Sequence, residues 1–191
     1  RDVAAEHATD FLRAIAGVLP RRGGRIGKVS AGHTTAIGAG IVSVSGAGIG
    51  FVPEDRKSEG LYLPLSIARN IELGCLRERK LWQPAGRHMP VIDGLMKRMR
   101  VRASGPHQPV RALSGGNQQK VMIGRWLASG IDVLLIEEPT RGVDIGAKAE
   151  IYTLLRDFAG DGGAVLVTSS ELTELLGLCD RILVVKRGKV V

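Results

Sequence analysis

Two glycines and a serine lead into a helix in Leu113-Ser114-Gly115-Gly116-Asn117-Gln118-Gln119. Small residues there leave the backbone N–H groups uncrowded, and the helix dipole favours an anion at that end. The same residues would also serve as an ordinary capped loop. One short helix later comes Val133-Leu134-Leu135-Ile136-Glu137-Glu138-Pro139-Thr140. Four apolar residues in a row suit a strand buried on both faces of a parallel sheet. Ligands and metals collect at the carboxyl ends of such strands. Of the two carboxylates placed there, Glu137 can hold Mg²⁺ through its water shell, and Glu138 can orient or activate water for attack on a phosphate. Downstream, Arg141-Gly142-Val143-Asp144 continues the loop, and Thr168-Ser169-Ser170-Glu171 ends the next strand on the same carboxyl edge.

The elements that must position these residues follow from periodicity. Phe11, Leu12, Ile15 and Val18 have helical spacing, which predicts a helix over Asp10–Val18 that stops at Gly17 and Pro20. Gly23–Gly60 reads as short strands and turns, and Ser66 as the cap of a helix carrying Ile67, Ile71 and Leu73. Residues 77–111 read as an inserted helical unit with Val91, Ile92, Leu95, Met96 and Met99 on one face. After that the chain alternates. Helices are predicted over Gln118–Ser129, Ala147–Ala159 and Glu171–Leu178, and buried strands over Val133–Ile136, Ala164–Thr168 and Ile182–Val185. A turn at Gly188 closes the pattern. Such alternation predicts an α/β fold with a mostly parallel sheet.

Composition narrows the function classes. The 191 residues suffice for one domain, and 44% hydrophobic with 24% charged residues describe a folded chain. No apolar run is long enough to span a bilayer, and residues 1–20 show no signal peptide. Cys75 and Cys179 make neither a disulfide framework nor a metal-ligand spacing, and His7, His33, His88 and His107 are scattered. A zinc enzyme is therefore not indicated. The net charge of +8 is concentrated in residues 77–111, which hold nine basic and two acidic side chains. Such a block suits a nucleic-acid patch, a membrane-proximal patch or a solvated helix face. With Trp82 its one aromatic, it shows no base-stacking platform, and no nucleic-acid partner is expected.

The order of these motifs resembles the nucleotide-binding domain of ABC transporters, a P-loop NTPase fold with an inserted helical subdomain. Leu113–Gln118 is similar to the family signature, Val133–Glu138 to the Walker B strand, Gly142–Asp144 to the D-loop and Ser169–Glu171 to the switch segment. Phe51-Val52-Pro53-Glu54-Asp55-Arg56-Lys57 and Glu138-Pro139-Thr140-Arg141-Gly142-Val143-Asp144 resemble phrases in the second domain of monosaccharide importer ATPase subunits. The resemblance implies one domain over 1–191, with a helical subdomain at 61–125 and the rest of the core at 126–191. It implies ATP and Mg²⁺ as cofactors. Ser114, Gly115, Gly116, Asn117, Gln118, Asp144, Thr9 and Glu54 would touch nucleotide, Glu138 and Ser170 would be catalytic, and Glu137 would face the metal. It further implies a head-to-tail dimer with a second nucleotide-binding domain, a transmembrane permease, and indirectly a periplasmic or lipoprotein sugar-binding protein. The site would lie peripherally on the cytoplasmic face of the membrane, with the basic block near the permease and the anionic leaflet.

The sequence departs from that pattern in four places. No G-x-x-x-x-G-K-[ST] phosphate loop occurs; Gly23-Gly24-Arg25-Ile26-Gly27-Lys28 has three residues between its outer glycines, and Val29 follows. Aligning the first helix puts Asp2–Thr9 where the loop belongs, and only Thr9 matches. Glu137 replaces the usual aspartate, Ser170 the usual histidine and Glu54 the usual glutamine. Each lost contact to a transition state typically costs about 10²–10³ in rate, so hydrolysis at the domain's own site is expected to be weak. The intact signature would serve the opposite domain's nucleotide. The alternative is a degenerate domain acting as a scaffold or regulatory partner.

Overall fold

The computed structural model describes residues 8–21, 23–30, 32–78, 87–186 and 189–191. The parallel sheet that places the site has three strands, in the order Ile49–Val52 (β3), Val133–Glu137 (β4) and Ala164–Thr168 (β5). Its register sets Val52 beside Ile136 and Glu137 beside Thr168. Because β4 is central it is covered on both faces, and Leu134, Leu135 and Ile136 are buried. Each such side chain stabilises the fold by about 1.5–3 kcal/mol. The strand over Ala164–Thr168 stands where expected, but it is half-buried, not buried. Among the described residues it pairs on one side only.

The two faces of β4 carry different packing. Leu135 packs with Leu12 of the first helix (α1, Ala8–Ile15), with Ala16 just after it, with Ile37, and with Val44 of a short helix (α2, Ile41–Gly46). Ile37 ends a hairpin of Ile26–Ser30 (β1) and His33–Ile37 (β2). Within Gly23–Gly60, α2 was not foreseen. Its β-branched residues are poor helix formers, and burial of Val44 overrides that preference. In α1, Leu12 faces inward while Phe11 and Val18 stay exposed, against expectation. The helix ends at Gly17, whose φ is +75° and where a Cβ would lie 2.5 Å from the Gly40 carbonyl carbon. Beyond that turn Val18 no longer follows the helical face.

On the other face, Leu134 and Ile136 join one continuous core with the helical segments. These are α3 (Ile67–Glu72), α4 (Met89–Arg98), α5 (Gly115–Ala128) and α6 (Ile145–Gly160). Ser66 caps α3 as expected, its Oγ accepting from the Arg69 N–H at 3.2 Å. In α4, Ile92 is buried with the following Met99, but Val91 is half exposed and does not join the predicted apolar face. A helix over Leu172–Leu178 (α7) follows β5. The strand expected over Ile182–Val185 is absent: Leu183 and Val184 are exposed, and Val185–Lys186 (β6) pairs antiparallel with Lys189–Val190 (β7). The turn at Gly188, the P-loop position before Ala8 and Trp82 lie outside the described residues.

Candidate functional site

The carboxyl ends of β4 and β5 bring the two expected catalytic residues together. Glu138 leaves β4 with φ +43°, a left-handed conformation that costs a non-glycine residue about 1–3 kcal/mol and persists where its surroundings fix it. Its N–H donates to the Thr168 carbonyl at 2.8 Å, which continues the β4–β5 ladder by one residue. Its carboxylate then accepts from Ser170 twice, from the N–H at 2.6 Å and from the hydroxyl at 3.2 Å.

Glu137, one residue earlier, points the other way and is fully buried. Arg13 of α1 grips both of its oxygens, with Nε at 2.9 Å from Oε1 and Nη2 at 2.9 Å from Oε2. The Glu54 N–H adds a third donor to Oε2 at 3.2 Å. Burial pushes the Glu137 carboxyl above its ordinary pKa, and Arg13 pulls it part of the way back. Its hydrogen bonds to Glu137 hold Arg13 firmly charged. Thr9 lies in the first turn of α1, half-buried.

The loops on either side are clasped together. Glu54 pairs with Arg141, and Arg56 donates to the carbonyls of Arg141 at 2.8 Å and Gly142 at 3.3 Å. Asp55 caps the π-helical turn Arg56–Gly60 by accepting from the N–H groups of Lys57 and Ser58, and the Ser58 side chain together with these two groups lowers its pKa. Asp144 caps α6 by accepting from the Ala147 N–H at 2.9 Å. It ends the loop after β4.

Ser114 sits just before α5 in extended conformation, so the helix opens at Gly115, three residues ahead of expectation. Gly116 packs against α6; a Cβ there would lie 2.4 Å from the Ala147 Cβ. Gly115 is equally tight, with the Gly142 carbonyl oxygen 2.8 Å from where a Cβ would be. The side chains then divide. Ser114 is exposed, and its Oγ accepts from Asn117 Nδ2 at 2.9 Å. Asn117 and Gln118 are buried, and their amides are used within the fold. Asn117 accepts from the Arg102 N–H, while Gln118 Nε2 donates to the carbonyls of Val110 and Leu113.

Sequence reasoning missed Arg13, Arg56 and Glu174. Glu174 is buried and accepts from Thr140 Oγ1 at 2.6 Å, from Tyr152 at 3.1 Å and from Ser169 Oγ, so it joins the loop after β4 to the loop after β5. Its signal was an acidic residue in the first turn of α7, four residues past the strand-end Ser170. Nothing in the local sequence signalled that Arg13 and Arg56 reach partners across the fold.

A parallel sheet with paired carboxylates at its carboxyl edge, flanked by a Ser-Gly-Gly helix start, defines an α/β domain of the P-loop NTPase fold in its ABC ATPase form. A dimeric ATP-binding cassette in a post-hydrolysis state bound to ADP and Pi superposes with TM-score 0.77 at 22% identity, over 95% of this chain and 77% of that one. The cbiO1 protein of Clostridium perfringens, part of the ABC transporter complex cbiONQ, gives 0.76 at 21%, over 100% and 73%. Residues 9–141 match the ABC transporter family, and the chain belongs to it. It is 43% identical over 185 residues to the ribose import ATP-binding protein RbsA of Corynebacterium glutamicum, covering 95% of this chain and 34% of that protein. It is 44% identical over 187 residues to RbsA of Bacillus subtilis, covering 95% and 37%. The chain thus spans about a third of the length of the curated relatives it matches.

Proposed function

We propose that the chain is the signature-bearing part of an ATP-binding subunit that couples ATP to monosaccharide import by a bacterial ABC transporter. The names of its relatives support ribose or a similar sugar as the cargo. The observation that carries the reading is the start of α5, where Ser114 is exposed beside the partly exposed Gly115. A hydroxyl and free N–H groups at a helix N-terminus suit the terminal phosphate of a nucleotide brought by another domain. Asn117 and Gln118 hold that turn from behind, and Gly116 lets it lie close to α6.

The partner is a second nucleotide-binding domain packed head to tail, which would supply the phosphate loop and the Mg²⁺ ligands for that ATP. The chain's own strand ends contribute weak hydrolysis, since Ser170 is bonded to Glu138 and Glu137 to Arg13. The assembly docks on a transmembrane permease served by a sugar-binding protein outside the membrane. The exposed Arg98, Arg100 and Arg102 suit a face near the permease and the anionic leaflet. Among the described residues no helix is long and apolar enough to cross a membrane, which suits a peripheral cytoplasmic position.

Replacing Ser114 by arginine in the complete transporter tests the reading. The bulky cation would block the cross-domain phosphate site, and ATP-driven sugar uptake is expected to disappear. Unchanged uptake contradicts it. A second reading, a degenerate scaffold domain, is favoured by the engagement of Glu137 with Arg13. In that case the assembled transporter would bind Mg-ATP equally well with and without the Ser114 substitution.

A further inference from the structure

We propose that Arg13 stands in for the divalent cation at the end of β4, so that Glu137 takes no metal ion in this domain. Octahedral Mg²⁺ keeps several of its waters, so a carboxylate that holds it directly or through water must present a lone pair toward open space. Glu137 presents none. It is 0% exposed, and the planar guanidinium of Arg13 meets both oxygens, Nε at 2.9 Å from Oε1 and 3.2 Å from Oε2, Nη2 at 2.9 Å from Oε2. The Glu54 N–H at 3.2 Å takes the remaining approach to Oε2. Such a fork matches a carboxylate in its own plane and is charged at any physiological pH.

Arg13 is the cation that the fold places on Glu137, among three carboxylates. Glu59 lies 3.2 Å from Arg13 Nη2 on the other side, and Asp10 on the same helix adds a further negative charge near Glu137. A divalent cation entering here would have to break both guanidinium contacts to Glu137 and then sit beside the Arg13 charge. Among the described residues no group of three His, Cys, Asp or Glu side chains could hold a metal ion. The pair also ties α1 to β4 and to the loop at Glu54, so the strand end is held in place without a metal. This goes beyond the proposed function, because the same pair would form whatever the transporter carries.

Manganese is the probe. In the ¹⁵N-labelled chain, the Glu54 amide lies against Glu137 and would lose its NMR signal to a paramagnetic ion bound there. Mn²⁺ on the exposed Asp55 or Glu59 nearby broadens that signal in every variant, so the reading is the part that depends on Glu137: wild type and Glu137→Gln are expected to broaden alike. In Arg13→Gln, folded by circular dichroism, the same signal is expected to vanish at lower Mn²⁺, and to return to the wild-type response in the double variant with Glu137→Gln. A wild-type Glu54 signal that disappears at lower Mn²⁺ than that of Glu137→Gln overturns the proposal. So does a folded Arg13→Gln chain whose Glu54 signal responds as in wild type. If Arg13→Gln does not fold, the comparison of wild type with Glu137→Gln alone decides.

Discussion

The Glu138 carboxylate at the end of β4 accepts the Ser170 N–H at 2.6 Å and the Ser170 hydroxyl at 3.2 Å at the end of β5. The residue expected to activate water is therefore engaged by the residue expected to read the terminal phosphate. Glu138→Gln keeps an acceptor for the Ser170 N–H, so stability should change by less than about 1 kcal/mol. If the chain's own strand ends are nearly silent, ATP turnover by the assembled transporter should stay within a few-fold of wild type. A coupled phosphate-release assay checks this; a collapse of turnover would make Glu138 the main catalytic base.

Glu174 receives three hydroxyls, from Thr140, Tyr152 and Ser169. Glu174→Ala removes every acceptor at once inside a buried pocket. Leaving those donors unpaired should lower stability by roughly 2–4 kcal/mol. Glu174→Gln, which keeps one acceptor oxygen, should cost less. Urea unfolding of the two variants side by side measures the difference.

Gly116 and Gly124 face different neighbours. A Cβ at Gly116 meets the rigid Ala147 Cβ at 2.4 Å, while one at Gly124 meets the flexible end of Met99, Cε at 2.5 Å. Gly116→Ala should therefore push α5 from α6 and cost about 1–3 kcal/mol, whereas Gly124→Ala should cost less because Met99 can move. Thermal unfolding of both variants tests the order. Equal losses would mean that the α5–α6 contact yields as easily as a methionine.

Much of this arrangement was legible in the chain. The apolar run Val133–Ile136 announced a central strand because only a strand covered on both faces tolerates four such residues. Of the two carboxylates after it, Glu138 meets Ser170 as their strand-end positions implied, while Glu137 turns away to Arg13. What stayed hidden was long-range or decided by packing. Arg13 and Glu137 are 124 residues apart, and no local pattern links them. The amides of Asn117 and Gln118 read as ligand contacts, but helix geometry turns them inward. Ile182–Val185 has strand composition, yet of these four residues only Val185 joins a ladder, the short β6–β7 pair.

Lys120 is almost fully buried and pairs with Glu150, while also donating to the Arg100 carbonyl at 3.0 Å. The hydrogen bond from Lys120 holds the Glu150 carboxyl below its ordinary pKa. A lowered folded-state pKa means that the unfolded chain binds more protons in acid. The contribution is therefore complete above the ordinary carboxylate range and is lost as pH falls through the folded-state value. Glu150→Gln should lose roughly 2–3 kcal/mol at neutral pH by leaving a buried ammonium without its counter-ion. It should also flatten the acid limb of the stability curve. Urea unfolding from neutral pH down into the carboxylate range reads both effects.

The central claim is that Ser114 and Gly115 meet a nucleotide held by another domain. An ATP analogue carrying a photoreactive group on its γ-phosphate tests it most directly, in the assembled transporter and in the isolated chain. Irradiation followed by peptide mapping should place the label on the segment around Ser114–Gly116 in the assembly and leave that segment unlabelled in the isolated chain. Equal labelling of the isolated chain, or no label on that segment in the assembly, would contradict the account.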